Sequence, residues 1–214
     1  MPRRTPLLAL LALLLLAACA QGSGPLRPSG VGAPPPATSD RLAIGRPDAP
    51  DVVVEYTDYQ CPFCATFARE TQPQIIAEYV DRGQVAFVFR DLPLTSIHPG
   101  ALQAAHAARC AAAQGGFWPM HQRLFEGAER REWGGGGDAD LAVFADYADA
   151  LKLDGAALRQ CVADQRYAGA IAADIAEATA SGFNSTPTFL IGGQKLLGAQ
   201  PFGVWRQAIE AQLR

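Results

Sequence analysis

Residues 52–64 constrain this chain more than any other stretch. Val52-Val53-Val54-Glu55-Tyr56-Thr57 is an apolar, largely β-branched run that leads into Cys61-Pro62-Phe63-Cys64. A helical pattern follows over 62–80, with Phe63, Phe67, Ile75, Ile76 and Tyr79 on one broad face. Two cysteines three apart at a strand-to-helix junction predict a redox dithiol, one thiol at the first helical turn and the other beneath it. Half a zinc site is the rival use, but zinc wants a second close pair or nearby histidines. Cys110 and Cys161 are widely spaced, and His98, His106 and His121 lack ligand spacing. No metal is therefore expected, and the histidines are assigned surface or capping roles. A static structural disulfide is the other rival, disfavoured because so short a loop is strained.

The compartment decides whether such a dithiol matters. Arg3 and Arg4 form a positive n-region, Leu7 to Leu16 an apolar h-region, and Ala17-Ala18 a small-residue cleavage context, so residues 1–18 read as a signal peptide. The apolar stretch falls short of the roughly 20 residues a membrane span needs. Leu16-Ala17-Ala18-Cys19 resembles the lipobox of bacterial lipoproteins, which implies cleavage before Cys19 and a diacylglyceryl group on its sulfur. A plain secretory signal with a coincidental cysteine is the alternative. Either way export is expected, to a membrane-anchored position in the periplasm or on the cell surface. Of the five cysteines, lipidation of Cys19 leaves four. Outside the cytoplasm that even count reads as two pairs, Cys61 with Cys64 and Cys110 with Cys161. The net charge of -3 and the lack of a basic run argue against nucleic acid as a partner.

Residues 19–41 are rich in Gly, Pro, Ser and Ala and include Pro34-Pro35-Pro36, so they read as a tether. The tether is too short and polar to be a dimerisation domain, so a monomer is expected. The near-continuous apolar character of 52–57 suits a central strand covered on both faces. Pro73 should kink the following helix rather than end it. Val85 to Phe89 is a second buried strand, parallel to the first in a βαβ unit. Helical segments follow near 100–113, 118–126, 139–151, 155–163 and 166–180. Asp138 and Asp154 are read as N-caps and Gly182 as a terminating residue. Thr188 to Ile191, the turn Gly192-Gly193 and Lys195 to Leu197 form a hairpin. A last helix covers Phe202 to Leu213, with Val204, Trp205, Ala208, Ile209 and Leu213 as its core stripe.

A βαβ half and a ββα half around a helical block resemble the DsbA-like thiol:disulfide oxidoreductases. The likeness rests on Val54-Glu55-Tyr56 leading into Cys61-Pro62-Phe63-Cys64, Phe89-Arg90-Asp91-Leu92-Pro93-Leu94, Phe117-Trp118 to Phe125, Thr186-Pro187-Thr188-Phe189 and Gly198-Ala199-Gln200-Pro201. It implies an α/β chain, a thioredoxin fold with an inserted helical domain. Residues 42–97 and 182–214 would form the thioredoxin fold and residues 98–181 the insertion. It also implies a protein-disulfide oxidoreductase that needs no cofactor. Such an enzyme would oxidise the dithiols of exported proteins and be reset by a membrane redox partner. A reductase or isomerase of the same fold is the alternative within that chemistry. A peptide-binding lipoprotein whose dithiol is only a staple is the alternative outside it.

Within this frame Cys61 is the expected nucleophile, because a helix N-terminus lowers a thiol's pKa, and Cys64 the resolving thiol. The resemblance implies that Thr186 and a cis Pro187 form a substrate ledge beside them. It also suggests that Glu55 is a proton acceptor for Cys64. From the residues alone Glu55 is equally a carboxylate paired at the sheet edge. Cys110 and Cys161 are expected to staple two helices, for about 4 kcal/mol of stability on loop-entropy grounds. Two buried free thiols are the rival.

Overall fold

The computed structural model describes residues 42–214. The expected signal peptide, Cys19 and the whole of the tether lie outside the described residues.

A five-stranded mixed sheet in the order β1-β3-β2-β4-β5 carries the site. β2 (Asp51–Thr57) runs parallel to β3 (Val85–Asp91), with Glu55 opposite Phe89. On its other side β2 pairs antiparallel with β4 (Thr188–Ile191), with Glu55 opposite Phe189. β5 (Gln194–Leu197) returns along β4 through the Gly192-Gly193 turn. Sequence reading missed β1 (Ala43–Ile44), which is too short for any periodicity to show and pairs with the edge of β3. That edge goes no further, because the Asp91 N–H donates to the Asp174 carboxylate instead of to another strand.

Alternation along the strands builds a core on each face. Val53, Phe87, Phe89, Phe189 and Ile191 face one side, where Phe67, Ile75 and Trp205 join them. Val54, Tyr56, Val88 and Leu190 face the other, beneath Ala178 and Phe183.

The helix after Cys61 is not uniform. α1 (Pro62–Thr66) widens into a π-helical segment (Phe67–Thr71), narrows to α2 (Gln72–Ile75), and widens again (Ile76–Val80). Pro73 sits at the first turn of α2, where its missing N–H was not needed for the ladder. The chain therefore passes Pro73 by opening its turns.

The insertion comprises α3 (Ala101–Ala113), α4 (Phe117–Glu129), α5 (Asp138–Ala150), α6 (Gly155–Ala163) and α7 (Ala168–Ala180). Ala104, Ala105 and Ala108 are buried on α3, where their small size lets other helices approach. Asp154 caps α6 by accepting from the Ala157 N–H. Asp138, read as an N-cap, is instead the first residue of α5 behind Gly137, where its charge still meets the helix dipole. Gly182 follows α7 with φ +68°, a left-handed conformation suited to glycine. Cys110 of α3 and Cys161 of α6 are joined by a disulfide, with Cα atoms 6.0 Å apart.

α8 (Phe202–Gln212) closes the fold. Its stripe is narrower than its sequence suggests: Trp205 and Ile209 are buried, whereas Val204 is 38% exposed.

A buried ion network fastens the insertion to the sheet. Arg109 of α3 donates to Asp91 of β3 and Asp174 of α7, and Arg90 Nε lies 3.5 Å from Asp174. Tyr56 of β2 donates to Glu177 of α7 at 2.7 Å.

Candidate functional site

β2 ends at Thr57, and a tight turn sets Cys61 at the mouth of α1. The Asp58 carboxylate makes that turn. One oxygen accepts from the Gln60 N–H, while the other takes the Leu94 N–H and His98 Nδ1, each at 2.8 Å. Gln60 reaches the other way. Its Oε1 accepts from the Gly100 N–H at 2.5 Å and its Nε2 donates to the Gly134 carbonyl at 2.9 Å. Gly134 has φ +141°, and a Cβ there would sit 2.8 Å from Gln60 Nε2, so only glycine permits this approach. The residues flanking the redox turn are thus braced against both the chain entering the insertion and the insertion's glycine loop.

Cys61 is the N-cap of α1, with Pro62 directly after it. Its thiol is held well below the usual range, at about 6. The largest cause is a hydrogen bond from the Cys64 thiol. Burial opposes it, while the Thr186 side chain nearby, which makes no hydrogen bond of its own, and the backbone N–H groups of Cys64 and Phe63 add to it. Cys64 is pushed the other way, well above its ordinary value, by burial and then by the neighbouring Cys61. Both cysteines are present as free thiols. One helix turn thus holds a thiol poised to ionise directly above one that stays protonated. Phe63, between them in sequence, is 64% exposed and supplies neither proton nor charge.

Thr186 and Pro187 close over this pair from across the sheet. The Thr186–Pro187 peptide bond is cis, and Cys61 Sγ donates to the Thr186 carbonyl at 3.3 Å. The Pro187 carbonyl accepts from the Gly198 N–H, which ties this segment to the end of β5.

Glu55 sits in the middle of the central strand, with no exposed surface, rather than at the sheet edge. Burial raises its carboxyl to about 8, the Thr57 side chain beside it pulls it down without making a hydrogen bond to it, and the nearby Cys61 charge raises it further. The folded chain therefore binds a proton at Glu55 that the unfolded chain releases at lower pH. Folding stability falls as pH rises from the unfolded carboxylate range through the folded value. Glu55→Gln removes this term, so the variant should exceed the parent at neutral pH by on the order of 3 kcal/mol. Urea unfolding of both proteins at acid and at neutral-to-alkaline pH checks this. The gap should widen with pH, and a constant gap would show that Glu55 does not titrate in the folded chain.

The site thus brings together Cys61, Cys64, Glu55, Thr186 and Pro187. The Cys110–Cys161 disulfide lies apart from them, between helices of the insertion. Two sequence assignments need correction. His121 is fully buried, not at the surface. Its Nδ1 is 3.0 Å from the Tyr59 hydroxyl, and Phe89, Phe117, Trp118 and Phe125 surround it, holding its pKa down near 3. His106 is buried as well. Asp58, Gln60 and Gln72 were missed. An aspartate two residues before a tight turn's amide is a recognisable turn signal, but nothing local marks Gln60 or Gln72.

A family model described as Thioredoxin matches residues 37–211. The Na+/H+ antiporter NhaA 3 of Salinispora tropica is 40% identical over 161 residues, which is 75% of this chain and 23% of the antiporter. The chain spans about a quarter of the length of the curated antiporters it matches. Disulfide bond formation protein D of Bacillus subtilis is 25% identical over 184 residues, covering 84% of this chain and 80% of that protein. Among solved structures, oxidised BdbD of Bacillus subtilis superimposes with a TM-score of 0.71 at 24% identity, over 80% of this chain and 92% of that one.

Proposed function

Because this chain belongs to the thioredoxin family, in a DsbA-like form with a helical insertion, we propose that it exchanges disulfides with client proteins through Cys61 and Cys64. The observation that carries this reading is the pairing of a low-pKa Cys61 with a buried, protonated Cys64 one turn away. A thiolate stabilised in the reduced form makes the corresponding disulfide oxidising, because Cys61 is then a good leaving group. The forward direction is therefore oxidation of clients.

In the first step a client thiolate attacks Cys61 Sγ. The Cys61–Cys64 bond breaks, a Cys61–client disulfide forms, and Cys64 leaves and takes a proton from Glu55. A second client thiolate then attacks the client sulfur, its disulfide forms, and Cys61 leaves as a thiolate. The client loses two electrons and the Cys61–Cys64 pair gains them. A membrane-bound oxidant must accept that pair to reset the site. The Thr186 backbone, beside Cys61, serves as the ledge on which an extended client chain docks. The leader and Cys19 support action outside the cytoplasm on a lipid anchor, and the Cys110–Cys161 staple suits an oxidising compartment. Among the described residues no helix is long and apolar enough to cross a membrane.

Cys64→Ala tests the reading. Without the resolving thiol, Cys61 should accumulate as mixed disulfides with reduced exported proteins, seen as reductant-sensitive adducts on non-reducing gels. If Cys64→Ala forms no adduct while Cys61 remains alkylatable, the pair does not exchange with proteins, and the fold serves binding instead.

A further inference from the structure

A carboxylate without exposed surface at the centre of a sheet needs a donor, and the redox helix supplies one. The π-helical segment after α1 brings Gln72, 1% exposed, to the inner face of the helix directly before Pro73. Gln72 Nε2 donates to Glu55 Oε2 at 3.3 Å. The other carboxylate oxygen, Oε1, is buried and has no hydrogen-bond partner among the described residues. The strands beside Glu55 contribute apolar neighbours, Phe89 from β3 and Phe189 from β4. The titratable groups that sense its charge are Cys61, Cys64 and Tyr59, all in or next to the redox turn.

We propose that Gln72 is a positioning residue for thiol exchange, anchoring one oxygen of Glu55 so that the other is left to exchange a proton with Cys64. This rests on the reading of Glu55 as the proton partner of Cys64. When Cys64 closes on a mixed disulfide, its S–H bond breaks and the proton passes to Glu55 Oε1. The Cys64 sulfur then bonds to Cys61, and the client leaves as a thiolate with the electron pair of the broken S–S bond. In the opposite direction Glu55 returns that proton to Cys64 as it leaves. A neutral amide suits this task. A lysine or arginine in its place would hold the carboxylate ionised and unable to return a proton. An apolar side chain would leave both oxygens without this donor and the proton held too tightly.

The test uses the full chain carrying Gln72→Met, which keeps length and drops the donor. Gln72→Glu is the second variant and places another carboxyl against the first. Two quantities are followed across the neutral range. One is the carboxyl titration of Glu55, read from the difference-infrared band that Glu55→Gln removes. The other is the rate at which Cys64 displaces glutathione from a mixed disulfide at Cys61. In both variants the Glu55 midpoint should move upward and the pH–rate profile with it. Closure at neutral pH should slow about tenfold, while the Cys61 thiolate titration stays in place. The proposal is overturned if the Glu55 midpoint stays where it is, or if closure slows equally at every pH, as a purely structural role would give. If the midpoint moves but Glu55→Gln leaves the parent's pH–rate profile intact, the anchor is real. Glu55 is then not the proton partner, and the catalytic part of the proposal falls.

Discussion

Cys61→Ser is expected to lower dithiol–disulfide exchange by roughly a thousandfold or more. The thiolate is the attacking and leaving group in every step, and a hydroxyl neither ionises near neutral pH nor forms a disulfide. The same substitution should leave the fold intact. Cys61 is the N-cap of α1, and serine is among the preferred residues there. Loss of exchange with an unchanged urea midpoint would assign the effect to chemistry alone. In the parent, reactivity towards an alkylating agent should rise as pH passes about 6, where the Cys61 thiol ionises. That inflection should be missing in Cys61→Ser, since Cys64 stays protonated well above its ordinary range. Retention of even a tenth of the parent's exchange rate in Cys61→Ser would place the nucleophile elsewhere.

Much of this site can be read in the sequence because its parts are local. An apolar run, a Cys-Pro-Phe-Cys junction and a helical repeat lie consecutively, so short-range rules place Cys61 and Cys64 correctly on their elements. The strand containing Glu55 reads as central because its neighbours are apolar on both faces. The choice between an edge pair and a buried carboxylate could not be made from those residues, because it depends on β4, which arrives from the far end of the chain. The donor to Glu55 was invisible for a similar reason: Gln72 lies where a π-helical segment passes into α2, a change of helical period that no sequence pattern marks. The histidines failed most plainly. Burial of His121 needs rings from β3, from the turn before Cys61 and from its own helix at once, and no spacing rule encodes that convergence. The sequence sets Arg90 and Asp91 in a motif but names no partner for them; the fold brings Arg109, Asp174 and Glu177 into one network with them.

Removal of one member of that network should be the most damaging single change to stability away from the dithiol. Arg109→Leu leaves the carboxylates of Asp91 and Asp174 buried without the guanidinium that now bridges them. Breaking a buried pair from one side costs about 3–5 kcal/mol, far more than the pair contributes over an apolar replacement of all its members. Arg109→Lys should recover only part of this, because an ammonium cannot span two carboxylates with a planar fork. The penalty depends on pH in a defined sense. Burial already raises the Asp174 carboxyl to about 6, and loss of Arg109 raises it further. The penalty is therefore full above the variant's folded value for Asp174 and shrinks as pH falls through it and Asp174 protonates. Urea unfolding of parent and Arg109→Leu at neutral and acid pH reads this directly. A shift under about 1 kcal/mol at neutral pH would mean that the network is solvated rather than buried.

The Cys61–Cys64 pair is expected to pass its disulfide directly to a protein. The direct measurement mixes the oxidised full chain with a reduced, unfolded client bearing two cysteines, quenches by alkylation at intervals, and weighs both proteins. Each client disulfide should appear as one Cys61–Cys64 disulfide is lost, through a transient Cys61–client adduct, with Cys110–Cys161 intact. A client that stays reduced while Cys61–Cys64 stays oxidised, or loss of Cys110–Cys161 instead, would contradict this.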